Sequence, residues 1–258
     1  MRVEAVGADR SAFLRYLAAD PLRNAFALHD LQEEGDRTRC FAAREGGSFR
    51  GYLLAWHGRQ YPSVVVTGTT EAAQTLLPRA PPSPCTFLLL PELATLVEAR
   101  REIATRRLMD FMVVDPASFR PAAAREAEPL GKEDAEALEA LYRETVEERR
   151  DWGRWAGRGI AYGIRRAGGL VAAAGTHFVS RDTSLIGGVY TSPAFRRRGH
   201  ALAATSAVTQ EALIRGERVG LMVVTTNRPA IALYEKLGYR KTVRWAWLDS
   251  GTGQIPLA

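Results

Sequence analysis

A basic loop between an apolar run and a helix-forming run carries the residues best suited to chemistry. Residues 189–201 read Val-Tyr-Thr-Ser-Pro-Ala-Phe-Arg-Arg-Arg-Gly-His-Ala. A central strand has to end before Pro193, because proline lacks the N–H donor, and a helix-forming run begins after Gly199. The unpaired N–H groups at a helix start, together with the helix dipole, favour an anion. With three consecutive arginines beside them, these groups predict an anion site, most naturally for phosphate.

The same loop has a plainer interpretation. An Arg-Arg-Arg-Gly stretch is also typical of a solvated turn before a helix. It is neither a Walker loop nor a dinucleotide fingerprint, since only one glycine stands in it and no Gly-Lys-Ser/Thr follows. The loop alone therefore leaves an anion site and a simple turn both open.

The elements that must hold this loop follow from hydrophobic periodicity. A helix is predicted from Lys132 to about Arg149, where apolar residues recur every three or four positions. Short turns join the next three strands and favour antiparallel neighbours. The loop then leads into a helix, an apolar strand, a second helix and a last strand. The predicted strands are 160–165, 170–179, 184–191, 219–224 and 240–248, and the two later helices are 201–215 and 228–237.

A proline-rich segment divides the sequence into two halves. Residues 115–130 contain three prolines and an alanine run but little apolar periodicity, which predicts a domain boundary. We therefore expect one domain at residues 1–118 and another at residues 123–258. The first half alternates strands and helices, as a compact α/β unit does. The two halves share a rough order of elements, which hints at duplication.

Composition excludes several classes of protein. Hydrophobic residues make up 46% and charged residues 25%, the balance of a soluble globular chain. No apolar run approaches the roughly 20 residues of a membrane span, and the first ten residues lack the apolar core of a signal peptide. We therefore expect a cytoplasmic protein without a membrane partner.

Metal and nucleic-acid sites are not expected either. The two cysteines and four histidines are scattered, without ligand spacing, so no metal site is predicted. The net charge of +6 suits a polyanionic ligand and would also suit nucleic acid. Nucleic-acid binding rests on charge alone, because no nucleic-acid motif or aromatic platform accompanies the basic residues.

Two segments, in this order and at this distance, resemble the signatures of the GNAT superfamily, the Gcn5-related N-acetyltransferases. The first is the strand and proline at 189–193 with Arg196-Arg197-Arg198-Gly199-His200-Ala201, similar to the family's Arg/Gln-x-x-Gly-x-Gly/Ala loop. About thirty residues on, the segment 227–239 is similar to Asn-x-x-Ala-x-x-Leu-Tyr-x-x-x-Gly-Phe/Tyr. The resemblance covers roughly residues 123–248. Around residues 186–191 the sequence is most similar to those of FR47-like and glycine N-acyltransferase-like proteins.

The resemblance implies the fold class. It implies a mixed α+β chain of tandem acyl-CoA N-acyltransferase folds, each a mostly antiparallel twisted sheet flanked by helices. Residues 1–118 would be a degenerate GNAT-like unit, since they contain no Arg-x-x-Gly-x-Ala loop. That unit would be structural or would shape the acceptor pocket, and residues 123–258 would be the catalytic unit.

The resemblance also implies that the anion is the pyrophosphate of acetyl-CoA or of a longer acyl-CoA. Backbone N–H groups at 197–201 would wrap it, with arginine charge in support. The pantetheine arm would pair with the end of the strand at 189–191 like an added strand, and Gly187-Gly188 would tolerate a bulge that splays this strand from 219–224. Asn227 would bond the pantetheine, cap its helix, or do both. The residues expected to bind the cosubstrate are Val189, Tyr190, Thr191, Arg196, Arg197, Arg198, Gly199, His200, Ala201 and Asn227.

For catalysis, the resemblance assigns Tyr234 as the acid that protonates the departing thiolate; the alternative is an ordinary core tyrosine. Many relatives have a glutamate near the position of Leu185, but this sequence has none there. Candidates for the general base are His177 and three glutamates, and a water relay would also suffice. The glutamates are Glu144, Glu147 and Glu148. Trp152 and Trp155 would line the acceptor pocket or serve only in packing.

Two functions remain in view at this point. The first is an N-acetyltransferase that transfers an acetyl or acyl group from acetyl-CoA to the amine of a small molecule or amino acid, as a monomer or homodimer. The alternative is a catalytically silent, CoA-binding GNAT-like sensor or regulator, which the missing glutamate and the doubled architecture favour.

Overall fold

The chain forms two compact units, described here from a computed structural model. The structure describes residues 1–7, 10–58, 61–82, 84–143, 151–166 and 168–251. Unit 1 is Met1–Met109 with the segment that begins at Val243, and unit 2 is Asp110–Thr242. The predicted domains, 1–118 and 123–258, stay a prediction: the units divide inside a strand at residue 109 and again near Val243.

Unit 1 is built on a mostly antiparallel sheet. Its strands are β1 Arg2–Ala5, β2 Thr38–Glu45, β3 Ser48–Trp56, β4 Ser63–Gly68, β5 Cys85–Leu89 and the first part of β6 Ile103–Val114, and its helices are α1 Arg10–Ala18, α2 Ala25–Glu33, α3 Thr70–Leu76 and α4 Ala94–Glu98. Strands β1 to β4 are antiparallel neighbours, and β5 runs parallel to β4. The C-terminal strand β12, Arg240–Ser250, pairs antiparallel with β5.

The core of unit 1 explains why the last strand lies there. Val64, Val66, Phe87 and Leu89 alternate toward one face of the sheet and pack with α3 and α4. Ala246 and Leu248 of β12 belong to the same core, so the C-terminal strand supplies part of the apolar layer that the first half must bury.

A buried carboxylate joins three strands of unit 1. Asp249 on β12 is 1% exposed. It accepts hydrogen bonds from Thr86 on β5 (2.9 Å), Thr105 on β6 (2.6 Å) and the indole of Trp247 (3.0 Å), and it pairs with Arg107 at 3.3 Å. Four donors compensate the lost hydration of the charge, which is the condition for burying it.

Unit 2 repeats the plan of unit 1. It contains β7 Glu128–Pro129, α5 Ala135–Tyr142, α6 Trp152–Arg158, β8 Ala161–Arg166, β9 Gly169–Phe178, β10 Ser184–Thr191, α7 His200–Arg215, β11 Val219–Val224 and α8 Arg228–Lys236. Strands β7 to β10 are antiparallel neighbours, β11 runs parallel to β10, and the end of β6 lies beside β11. Each half therefore runs strand, two helices, three strands, helix, strand, helix, strand. The predicted mixed α+β class is confirmed, and so is the repeated order of elements.

Two apolar layers cover the sheet of unit 2. Helices α7 and α8 pack on one face through residues such as Val208, Ile231 and Leu237. Helices α5 and α6 pack on the other through Leu138, Tyr142 and Trp152. The helix predicted at 132–149 begins with a 3₁₀ turn at Lys132–Asp134 and continues as α5, and residues 144–150 lie outside the described residues. Strand β10 thus runs between the two layers.

Candidate functional site

Strands β10 and β11 separate halfway along their length. They pair in parallel from Ser184 opposite Val219 to Ile186 opposite Leu221, and β11 then continues to Val224. Within the described part of the chain, β10 has no pairing with β11 beyond Ile186. The separation leaves a slot with an open backbone edge, which an extended ligand containing amides can use as a strand does.

A bulge at two glycines redirects β10 where the slot begins. Against β9, the register shifts between Gly187 and Tyr190, and Gly188 has a φ of +63°. A Cβ on Gly187 would lie 2.0 Å from Nε2 of His177, and one on Gly188 would lie 3.0 Å from the Trp155 ring. The predicted bulge is confirmed. Both positions need glycine, because side chains from β9 and α6 occupy the space a Cβ would take.

An aromatic cluster lies against this bulge. Tyr142, at the end of α5, donates a hydrogen bond to the carbonyl oxygen of Gly188. Its ring stacks on Trp152 with centroids 4.2 Å apart and contacts Trp155 edge-on at 6.4 Å. Trp152 is buried and Trp155 is half-buried. The two tryptophans named from the sequence therefore lie together beside β10, in contact with Tyr142.

The basic loop folds back on the end of β10. Residues 193–195 form one turn of 3₁₀-helix, and the Arg196 guanidinium donates to the carbonyl of Thr191 at 3.0 Å. Arg197 has a φ of +62°, the only non-glycine residue with positive φ in the described part of the chain. Gly199 follows with a φ of +83° and α7 begins at His200. Two left-handed residues in so short a loop turn the backbone sharply into the helix.

The start of α7 combines free N–H groups with positive charge. Its N-cap is Gly199, which has no side chain to accept from the first turn. Arg196, Arg197 and Arg198 are exposed, and none of them forms an ion pair with a described residue. The Arg196 guanidinium lies 5.7 Å from the Tyr190 ring centroid, and that of Arg198 lies 5.5 Å from the Phe195 ring. These features make the loop suited to an anion.

The remaining residues predicted to bind the cosubstrate lie on β10, on α7 and at the start of α8. Val189 packs toward the α7–α8 layer and Tyr190 toward the α5–α6 layer, as alternation along a strand requires. Thr191 is buried. His200 is also buried and Ala201 is half-buried. At the helix start, these two residues therefore offer their backbone N–H groups to a ligand rather than their side chains. Asn227 is exposed and accepts from the backbone N–H of Ala230 at 3.2 Å, which confirms that it caps α8.

Tyr234 lies on α8 in the layer that also contains Val189. It is 6% exposed and has a ring contact with Tyr239 at 5.9 Å. Among the residues the structure describes, its hydroxyl has no hydrogen-bond partner. Burial raises the pKa of this phenol well above its ordinary value. The group therefore stays protonated at neutral pH.

Of the predicted base candidates, His177 is the one whose place is described. It is an exposed residue of β9 whose imidazole lies over Gly187. Glu144, Glu147 and Glu148 lie outside the described residues. Leu185 is 1% exposed and pairs with Gly220 on β11.

The described ranges contain no group of three or more histidine, cysteine or acidic side chains placed to hold a metal. They also contain no helix long and apolar enough to cross a membrane.

Comparisons with known proteins agree with the geometry of unit 2. The model of the FR47-like protein family matches residues 161–248, and no curated protein matches the sequence. Among solved structures, a Drosophila protein superposes with a TM-score of 0.73 at 16% identity, covering 96% of this chain and 98% of that one. A GCN5-related N-acetyltransferase from Kribbella flavida gives a TM-score of 0.64 at 20% identity, over 89% of this chain and 95% of that one.

A tandem GNAT protein from the clavulanic acid biosynthesis pathway gives a TM-score of 0.55 at 16% identity and covers 98% of this chain and 100% of its own. Similarity at this level of identity concerns the fold, and the family match concerns residues 161–248. The resemblance drawn from the two signatures is confirmed: the chain has the fold of the GNAT superfamily, with an FR47-like C-terminal region.

Proposed function

We propose that this protein is an N-acetyltransferase that transfers an acetyl or acyl group from acetyl-CoA to the amine of a small molecule or amino acid. One observation carries the proposal. In a single unit, β10 and β11 separate at a glycine bulge, and the freed strand leads directly into a basic loop and a helix start without a side-chain cap. The slot suits the amides of a pantetheine arm, and the helix start suits a pyrophosphate.

The loop and the strand edge divide the binding of acetyl-CoA between them. Backbone N–H groups at 197–201 would hold the pyrophosphate, and the exposed arginines of the loop would add charge-assisted contacts. The free edge of β10 at 189–191 would pair with the pantetheine. Asn227, whose side chain caps α8, would contact the arm from the other side of the slot.

The chemistry follows from groups around the bulge. The amine attacks the thioester carbon, a C–N bond forms, and the C–S bond then breaks. The developing oxyanion needs a donor, and that donor would be the N–H of Val189, which points away from the Gly188 carbonyl across a trans peptide. His177 would take the proton from the amine, and Tyr234 would give its proton to the departing thiolate.

In the described part of unit 1, the corresponding strand β4 has no such bulge. Strand β4 stays paired with β5 over four consecutive positions, from Ser63 with Thr86 to Val66 with Leu89, and its pairing with β3 has no register shift. This supports the proposal that unit 1 binds no CoA of its own and that acyl transfer belongs to unit 2.

Calorimetry tests the donor site first. Acetyl-CoA should bind the full chain in the micromolar range, and Arg198→Glu or Gly199→Trp should weaken that binding. Arg181→Glu is the matched control, since Arg181 is an exposed arginine in the turn before β10. A chain that binds no acetyl-CoA would remove the proposal.

A second candidate is a CoA-binding sensor without turnover. It is favoured because the buried Leu185 stands near the position where many relatives have a glutamate. A broad screen of amines with detection of free CoA thiol separates the two functions. Release of thiol that falls in Tyr234→Phe supports the enzyme, while binding without release on any amine supports the sensor.

A further inference from the structure

The peptide between Gly188 and Val189 is bonded by the side chain of Tyr142. The Tyr142 hydroxyl donates to the Gly188 carbonyl, and both residues of this peptide fall between the paired positions of the bulge. We infer that Tyr142 is a positioning residue for acyl transfer, which fixes this peptide so that the Val189 N–H is presented to the thioester carbonyl. The inference rests on the proposed function, since it needs a thioester in the slot.

The direction of the N–H group follows from the peptide geometry. The described residues contain no cis peptide bond, and across a trans peptide the C=O and N–H point in opposite directions. The Gly188 carbonyl points toward Tyr142 and the α5–α6 layer. The Val189 N–H therefore points away from that layer, on the side where the Val189 side chain packs against the core that also contains Tyr234.

Tyr142 itself has little freedom to move. It is 1% exposed, and its ring is stacked on Trp152 with an interplanar angle of 11°. Trp155 contacts it edge-on, and Tyr190 lies on a further side at 5.6 Å. Packing of this kind locks the side-chain rotamer, so the hydroxyl can act as a fixed point for the bulge.

The bulge needs such a fixed point because its residues are glycines. Gly188 has access to both signs of φ at little steric cost, so the peptide would rotate if its carbonyl had no partner. A Cβ at this position would lie 3.0 Å from the Trp155 ring and 3.3 Å from the Tyr142 hydroxyl, and the φ of +63° is strained for any residue with a side chain. A side chain at position 188 is therefore unfavourable, and the hydrogen bond from Tyr142 restricts the peptide instead.

Tyr142→Phe removes the hydroxyl and keeps the stacked ring. We expect kcat for acetyl transfer to fall about tenfold or more, since losing a complete oxyanion donor costs about 100-fold to 1,000-fold. The Kd for acetyl-CoA should stay within about twofold, because the pyrophosphate loop is a separate segment. Tyr162→Phe is the matched control, as its hydroxyl donates to Glu211 at 2.9 Å elsewhere in unit 2. Wild-type kcat in Tyr142→Phe would overturn the inference.

A measurement on the wild-type chain covers the case in which the variant does not fold. Acetyldethia-CoA keeps the carbonyl with a methylene in place of sulfur, whereas S-ethyl-CoA has the chain without the carbonyl. The Val189 amide proton should move further downfield with the ketone than with the thioether, and this difference should shrink in Tyr142→Phe. Equal shifts with the two ligands in the wild type would overturn the inference. If neither ligand binds, the proposed function fails, and the inference fails with it.

Discussion

At the scale of single residues, the place of each side chain beside the slot decides which groups could take part in proton transfer. Tyr234 lies in the layer beside the slot, and burial raises its pKa, so its phenol keeps its proton at neutral pH. His177 is exposed and lies over the bulge. Tyr234, on α8, and His177, on β9, approach β10 from different sides, so the proposed proton donor and the proposed base are separated.

His177 provides a direct test of this division. His177→Gln should lower kcat by about 100-fold or more, the usual effect of losing a general base, and should leave the Kd for acetyl-CoA unchanged. His57→Gln, an exposed histidine of unit 1, is the control in both assays. Unchanged kcat in His177→Gln would point to a water relay in its place.

Asp30 makes the stability of unit 1 depend on pH. Burial, with a smaller effect from Glu34, raises the pKa of this carboxyl from 3.8 to about 7. The folded chain therefore keeps a proton that the unfolded chain releases, so this contribution to stability is present below about pH 4 and is lost as pH rises through about 7. Asp30→Asn should be more stable than the wild type at pH 8, by an amount on the order of 3 kcal/mol.

Urea unfolding at pH 4 and pH 8 measures this difference. His29, whose pKa burial lowers, is present in both chains, so its own contribution cancels in the comparison. Asp36→Asn, an exposed aspartate in the following turn, should behave like the wild type at both pH values. Equal stability of wild type and Asp30→Asn at pH 8 would contradict the assignment.

At the scale of elements, the bulge in β10 is the feature that sets unit 2 apart from unit 1. Gly188→Ala should destabilise the chain by about 2 kcal/mol, because a left-handed φ costs 1–2 kcal/mol without glycine and the new Cβ meets Trp155. It should also lower acetyl transfer. Gly169→Ala is the control, since a Cβ there meets nothing within 4 Å. Thermal unfolding and the thiol-release assay measure the two effects, and a fully active Gly188→Ala chain would show that the bulge is dispensable.

In unit 1, the buried carboxylate of Asp249 joins three strands. Asp249→Ala would leave the hydroxyls of Thr86 and Thr105 and the charge of Arg107 without their buried acceptor. We expect a loss of about 3 kcal/mol in the free energy of unfolding. Asp182→Ala, in an exposed turn, should change it little. Denaturant unfolding compares the two, and similar midpoints would mean that β5, β6 and β12 do not depend on this network.

At the scale of the whole molecule, neither half of the chain contains all the strands of one unit. A fragment of residues 1–118 lacks Ala246 and Leu248, which are fully buried in the core of unit 1, and leaves the edge of β5 unpaired. A fragment of residues 123–258 lacks the end of β6 that lies beside β11. We expect neither fragment to unfold cooperatively alone, whereas the full chain should. A cooperative transition in either isolated fragment would contradict this expectation.

The sequence by itself determined the local features of this protein. The glycine and proline positions, the cap at Asn227 and the order of elements each depend on residues close together in the chain, so the sequence predicted the basic loop and its elements, and the resemblance of two segments to family signatures implied the GNAT fold. Tertiary structure decided the rest: the hydrogen bond from Tyr142 to Gly188, the burial of Tyr234, the left-handed Arg197 and the place of β12. These depend on contacts between distant segments, and no periodicity within one segment encodes which distant partner it will meet.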